Sequence, residues 1–156
     1  NLNKGATGCY ADLDYFELES NPRGNHYDAL TEIDFSQYDD REGMKLVRPV
    51  AKRPMQFISG VRDGNWLVFN NMCFKQNPQK VTIELQAETP GTVIEIREGS
   101  LDGKLIATCP INQNQTPGEW EKQAFEVSGA VKDKSKIYFL FRGQSQGLAI
   151  KNFVFY

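Results

Sequence analysis

Histidine is almost missing from this chain: His26 stands alone among 156 residues. It sits in "NPRGNHYD", a Pro/Gly/Asn stretch, so no Ser-His-Asp or Cys-His arrangement can be built on the strand-like remainder, and no histidine metal cluster exists. Cysteine is scarce as well. Cys9, Cys73 and Cys109 lack metal-ligand spacing, and their odd number leaves at least one unpaired; they read as buried structural thiols. No apolar run approaches the roughly 20 residues that span a bilayer, and the first residues show neither a charged n-region nor an apolar h-region. The chain therefore reads as soluble, with no membrane partner and any export signal lying outside it. An excess of one charge is also lacking. With a net charge of -2 and Lys and Arg scattered, the footprint of a nucleic-acid or membrane-surface binder is absent.

Amphipathic helical periodicity is missing too, and what replaces it is a period of two. In "QKVTIELQAE" Val81, Ile83, Leu85 and Ala87 share one face while Lys80, Thr82, Glu84 and Gln86 share the other, the signature of a half-buried strand. Similar runs recur at 65–70, 92–98, 104–111, 123–128, 136–142 and 148–156, separated by turn chemistry such as "TPG", "LDGK" and "RGQSQG". Strands so spaced predict an all-β protein, an antiparallel β-sandwich. A chain of 156 residues has room for one well-buried domain and not for two of ordinary size. The break falls between Asn21 and Asp28, dividing residues 1–28, a strand-like "ADLDYFELES" followed by a linker, from a sandwich over 29–156. A weak echo between "GCYADLDYFEL" (8–18) and the closing "GLAIKNFVFY" (147–156) suggests that the first residues are the last strand of a preceding β-domain.

"GVRDGNWLVFNN" (60–71) places Trp66 directly after an Asp-Gly-Asn turn. Leu67 and Phe69 should enter the core, so Trp66 and Val68 should take the opposite face. By the same alternation Glu95 and Arg97 face away from Ile94 and Ile96, and Glu84 and Gln86 away from Ile83 and Leu85. An exposed aromatic plate bordered by carboxylate, guanidinium and amide groups suits a polyhydroxylated chain; the plainer reading is a solvated outer face.

Four segments in order, "GVRDGNWLVFNNMCF", "VIEIREGSLDGKLIATCPI", "TPGEWEKQAFEVSG" and "KIYFLFRGQSQGLAIKNFVFY", resemble family 6 carbohydrate-binding modules over about residues 30 to 156. The resemblance implies a jelly-roll β-sandwich, monomeric and secreted or displayed at the cell surface, that binds polysaccharide or oligosaccharide of the plant cell wall, xylan foremost. It also implies a covalently linked glycoside hydrolase domain, and "GCYADLDYFELES" looks like the ending of a β-domain in family 43 glycoside hydrolases. Two sugar sites come with the family. A rim site sandwiches a sugar between a Tyr and a Trp and fixes it with an Asn; here the Trp matches Trp120, but Gly60 and Ala149 stand at the other two positions. Amides from flanking loops, Asn114, Gln144 and Gln146 among them, are the substitutes at hand. The second site, on the concave face of one sheet, carries a Trp that matches Trp66. A structural Ca²⁺ held partly by a Glu-x-Glu pair is implied as well; Glu32 and Asp34 in "TEIDF" have that spacing, whereas Lys151 occupies an expected acidic position and could pair with them instead.

Other classes fit less well. Glu84, Glu95 and Glu98 are candidates for a glycosidase acid and base pair, giving a small sandwich enzyme. A protein-docking sandwich would need an exposed apolar patch, which the polar loops do not suggest. The expectation is therefore a module without catalytic residues.

Overall fold

A computed structural model describes residues 26–48, 50 and 55–156. The suggested terminal strand of a preceding domain lies outside them. Twelve strands and one 3-10 turn (Phe35–Gln37) follow one another, with no α-helix among the described residues. The strands are β1 (Tyr27–Asp28), β2 (Ile33–Asp34), β3 (Asp40–Glu42), β4 (Lys45–Val47), β5 (Phe57–Ser59) and β6 (Trp66–Cys73). The rest are β7 (Lys80–Gln86), β8 (Val93–Glu98), β9 (Lys104–Pro110), β10 (Glu121–Glu126), β11 (Ser135–Arg142) and β12 (Ala149–Phe155). They form two six-stranded sheets, one ordered β1-β6-β11-β8-β9 with β3 on β6, the other β10-β7-β12-β5-β4 with β2 on β12. All pairings are antiparallel except β1 on β6. This is the expected β-sandwich.

The seven runs read from alternation coincide with β6 to β12. Two features escaped that reading. The short strands β1 to β5 are too brief to show a period, and β6 runs on through Asn70 and Asn71 to Cys73. The polar pair looked like a terminus. Instead Asn71 takes φ +53 where the register of β11 against β6 shifts between Ser135 and Ile137, a bulge that lets the strand continue. Tyr27 and Asp28, placed in the linker by sequence, pair with Met72 and Cys73, and the Tyr27 ring meets Phe69 edge-on at 5.3 Å.

Between the sheets the core is aromatic. Phe153 lies 4.7 Å from Phe139, 4.8 Å from Phe35 and 5.1 Å from Phe69, all of them fully buried, in tilted and edge-to-face contacts that add to area burial. Cys109 is a free buried thiol, and burial pushes it up to about 12. The expectation of buried thiols fails at Cys73, which is buried but disulfide-bonded.

At one end of the sandwich the loops are locked to each other. Thr92 N donates to Ser145 Oγ and Ser145 N to Thr92 Oγ1, both at 2.9 Å and both buried. Gly91 and Gly143 make that approach possible, because a Cβ on either would run into the carbonyl of the facing loop.

Phe153→Ala removes a ring that touches four others, so unfolding free energy should fall by about 3–5 kcal/mol, checked by urea denaturation with an unchanged slope.

Candidate functional site

The turn before β6 is set by its own amides. Arg62 N donates to Asn65 Oδ1 (2.8 Å), Gly64 N to Phe141 O (2.7 Å) and Gly143 N to Asp63 Oδ1 (2.8 Å). Trp66 therefore starts β6 with its side chain fixed in parity, and Leu67 and Phe69 are fully buried as expected. On the opposite side two rows cross the first sheet. One runs Glu42, Trp66, Leu140, Glu95, Thr108; the other Asp40, Val68, Tyr138, Arg97, Leu105. Cross-strand partners share a face, so Trp66, Glu95 and Arg97 stand on one face of the first sheet, with β11 between Trp66 and the other two.

Tyr138 was not anticipated. Its ring lies 5.8 Å from Trp66 at 62°, and both rings are half-buried. Val68 and Leu140, which point outward with them, are only 4% and 5% exposed. The signal was available: in "KIYFLFR" Ile137, Phe139 and Phe141 face the core, which leaves Lys136, Tyr138, Leu140 and Arg142 outside. Beside the rings, Glu95 Oε1 accepts from Arg97 Nη2 (3.0 Å) and Nε (3.2 Å) and lies 3.8 Å from Arg142 Nε. Arg97 Nη1 donates to Gly103 O at 2.8 Å. The carboxylate and one guanidinium are thus held in place, while Arg142 stays exposed.

Glu84 and Gln86 are corrected: they belong to β7 in the other sheet, and their outward face is not that of Trp66. Period two separates inside from outside but does not say which sheet a strand joins. There Asn152 Nδ2 donates to Glu84 Oε1 (2.9 Å), Lys151 Nζ lies 3.7 Å from Glu84 Oε2, and Gln86 Nε2 donates to Gly118 O (3.0 Å). The bulge between Ile150 and Asn152 brings Lys151 and Asn152 to the same carboxylate. Lys151 Nζ also sits 5.7 Å above the Trp120 ring, which meets Phe57 edge-on at 5.2 Å. Glu84 and Glu95 therefore occupy different sheets, and Glu98 is engaged by Ser135 Oγ (2.6 Å) and Lys132 N (2.8 Å). Glu84 thus does not pair with Glu95 or Glu98 across a common cleft as a glycosidase pair must.

At the rim, Gly60 and Ala149 border one depression with Ser59, Arg62, Gln144 and Gln146, and no aromatic ring lines it. Phe57 supplies a second ring near Trp120, but in contact with it, which leaves no slot for a sugar between them. Gln144 and Gln146 are exposed. Asn114 is 8% exposed, its Oδ1 accepting from Ala87 N (2.8 Å) and its Nδ2 donating to Glu119 O, so both ends of the amide hold the 112–119 loop in place.

Residues 36–156 match the sequence profile of carbohydrate binding module family 6. The chain belongs to that family. Over most of its length it is a non-catalytic carbohydrate-binding domain. The module is 29% identical over 92 residues to an arabinoxylan arabinofuranohydrolase of Bacillus subtilis (strain 168), a stretch covering 59% of this chain but 18% of that enzyme. Its fold superposes on a family 6 module of Clostridium cellulolyticum in complex with xylose, with a TM-score of 0.73 and 25% identity over 83% of this chain and 98% of that one. A family 43 arabinoxylan arabinofuranohydrolase from Bacillus subtilis, in complex with cellotetraose, gives 0.73 and 20% over 84% of this chain and 28% of that one.

The calcium ligands expected from the family do not assemble among the described residues. Glu32 is exposed, and Asp34 caps the 3-10 turn, its Oδ1 accepting from Ser36 N (2.9 Å) and Ser36 Oγ (2.7 Å) while Gln37 Oε1 accepts from Asp34 N (3.2 Å). Ca²⁺ takes about six to eight oxygens, and no group of three or more acidic, His or Cys side chains is found among the described residues. Lys151 does not replace the ion either, since it turns to Glu84 and Trp120 rather than to Asp34. Melting with chelator and with added Ca²⁺ tests the expectation: a midpoint raised by Ca²⁺ reveals a native-state site, and an unchanged midpoint shows that Glu32 and Asp34 hold no ion.

Proposed function

We propose that the module binds xylan-type β-glycan of the plant cell wall on the Trp66 and Tyr138 face, and so carries an appended family 43 glycoside hydrolase to its substrate outside the cell. The observation that carries this reading is the pair of rings on neighbouring strands, with Glu95 and Arg97 fixed beside them. A pyranose offers C–H groups on its faces and hydroxyls around its edge. Flat rings match the former, and a prearranged carboxylate and guanidinium match the latter without the entropy of ordering them on binding. Each well-placed hydroxyl contact is worth about 1 kcal/mol. The rim supports the reading by contrast: without an opposed ring it cannot sandwich a sugar, and Lys151 stands over the Trp120 face. The likeness to an arabinoxylan-cleaving enzyme and to a module seen with xylose favours xylan over other β-glycans. Gln144 and Gln146, exposed at the rim depression, are the residues of a second, weaker site in this proposal. The module acts as a monomer.

Affinity electrophoresis against xylan, arabinoxylan and mixed-linkage glucan tests this. Retention should be strongest on the xylans; Trp66→Ala should weaken it by about 2 kcal/mol, roughly thirtyfold, and Trp120→Ala much less. Because Trp66 is paired with Leu140, which is buried, Trp66→Phe serves as the variant that keeps a ring at this position. Normal retention of folded Trp66 variants beside loss in Trp120→Ala would move the site to the rim, and retention on no polysaccharide would end the proposal.

A further inference from the structure

The outward stripe of β11 reads Lys136, Tyr138, Leu140, Arg142, an aromatic centre between two cations about 20 Å apart at the usual rise of a strand. At the Lys136 end the fold gathers more charge than the chain average of -2 suggests. Lys104, Lys132, Lys134 and Lys136 surround one shallow depression with Glu98 and Asp133 as its carboxylates. Lys132, Lys134 and Lys136 are exposed, and none of their ammonium groups makes an ion pair with a described residue. Both acids are engaged by neighbouring polar groups, Glu98 by Ser135 Oγ and Lys132 N, and Asp133 by Phe74 N and Lys134 N. At the other end, Arg142 Nε lies 3.8 Å from Glu95 Oε1, and the Arg142 side chain is exposed. Glu95 itself is neutralised by Arg97. On the opposite border of the platform, Asp40 and Glu42 extend the two rows through β3.

We infer that the platform is built for an acidic β-glycan, a xylan bearing uronate side groups, whose carboxylates lie toward the β11 and β8 side and meet the lysine cluster or Arg142. The inference rests on the platform reading above and adds the charge of the ligand and its orientation. Asp40 and Glu42 repel a uronate placed on their side, so the charge asymmetry across the rings selects one direction for the substituents. Three exposed ammonium groups at one end of the β11 stripe and a guanidinium at the other offer a neutral polysaccharide no charge partner, but suit a carboxylate. A protein-binding or nucleic-acid-binding patch would leave the two rings between them unexplained.

Calorimetric titration with a xylo-oligosaccharide carrying one glucuronate, compared with the same compound after reduction of its carboxyl group, tests this directly. The acid should bind about threefold to tenfold more tightly at low salt, one or two exposed charge pairs supplying the difference. Raising NaCl from about 20 mM to about 300 mM should erase it, because exposed charges are then screened within a few ångströms. In Lys132→Gln/Lys134→Gln/Lys136→Gln combined with Arg142→Gln, the acid should bind no better than the reduced compound does to the wild type. Equal affinity of the two compounds for the wild type at low salt, or tighter binding of the reduced one, would overturn the inference while leaving the platform reading intact. If Trp66→Phe and Tyr138→Ala bind both compounds as the wild type does, or if neither compound binds at all, the platform reading fails and this inference falls with it.

Discussion

Everything described above depends on two sheets being pressed together over phenylalanine. Phe35, Phe69, Phe139 and Phe153 interlock between the layers, and the last three each anchor the parity of their own strands. Because a strand alternates strictly, burying Phe69 and Leu67 turns Trp66 outward, and burying Ile137, Phe139 and Phe141 turns Tyr138 and Leu140 outward. The surface that meets a ligand is thus the complement of the core. A slip of one residue in β11 would carry Tyr138 inside and expose a row of phenylalanines, so the core protects the face from the wrong register as much as from unfolding.

The loops at one end add a second constraint. Reciprocal hydrogen bonds between Thr92 and Ser145, with Gly91 against Gly143, fix the rim as tightly as the sheets. Rigidity there serves stability and leaves little room for an aromatic clamp: Gly60 and Ala149 line the depression without a ring, and Trp120 is occupied by Phe57 and Lys151.

How much of this was legible in the sequence follows from the reach of each signal. Alternation in "QKVTIELQAE" and "KIYFLFR" is local, so it gave the strands and the inside and outside of each. It is blind to sheet membership, which is why Glu84 was grouped with Trp66 although β7 and β6 lie in different layers. Bulges defeat it as well, as at Asn71, and so do strands of two or three residues such as β1 to β5. Motif spacing matched Glu32 and Asp34 to calcium ligands, but spacing does not show that Asp34 already caps a turn. The lysines at 132, 134 and 136 were visible in "VKDKSK" and were passed over because net charge averages them away. Parity in the same run turns Tyr138 outward, but only the fold shows that it stands beside Trp66 on the neighbouring strand.

The two tryptophans make the central claim open to a single experiment. Trp66 lies on the flat face and Trp120 at the rim, and the chain has no other, so an ¹H–¹⁵N spectrum contains one indole signal for each. During titration with a xylo-oligosaccharide the Trp66 indole signal should move in proportion to saturation while that of Trp120 stays in place. Movement of Trp120 with Trp66 unaffected would contradict the account, because the ligand would then sit at the rim that its residues are here argued to have given up.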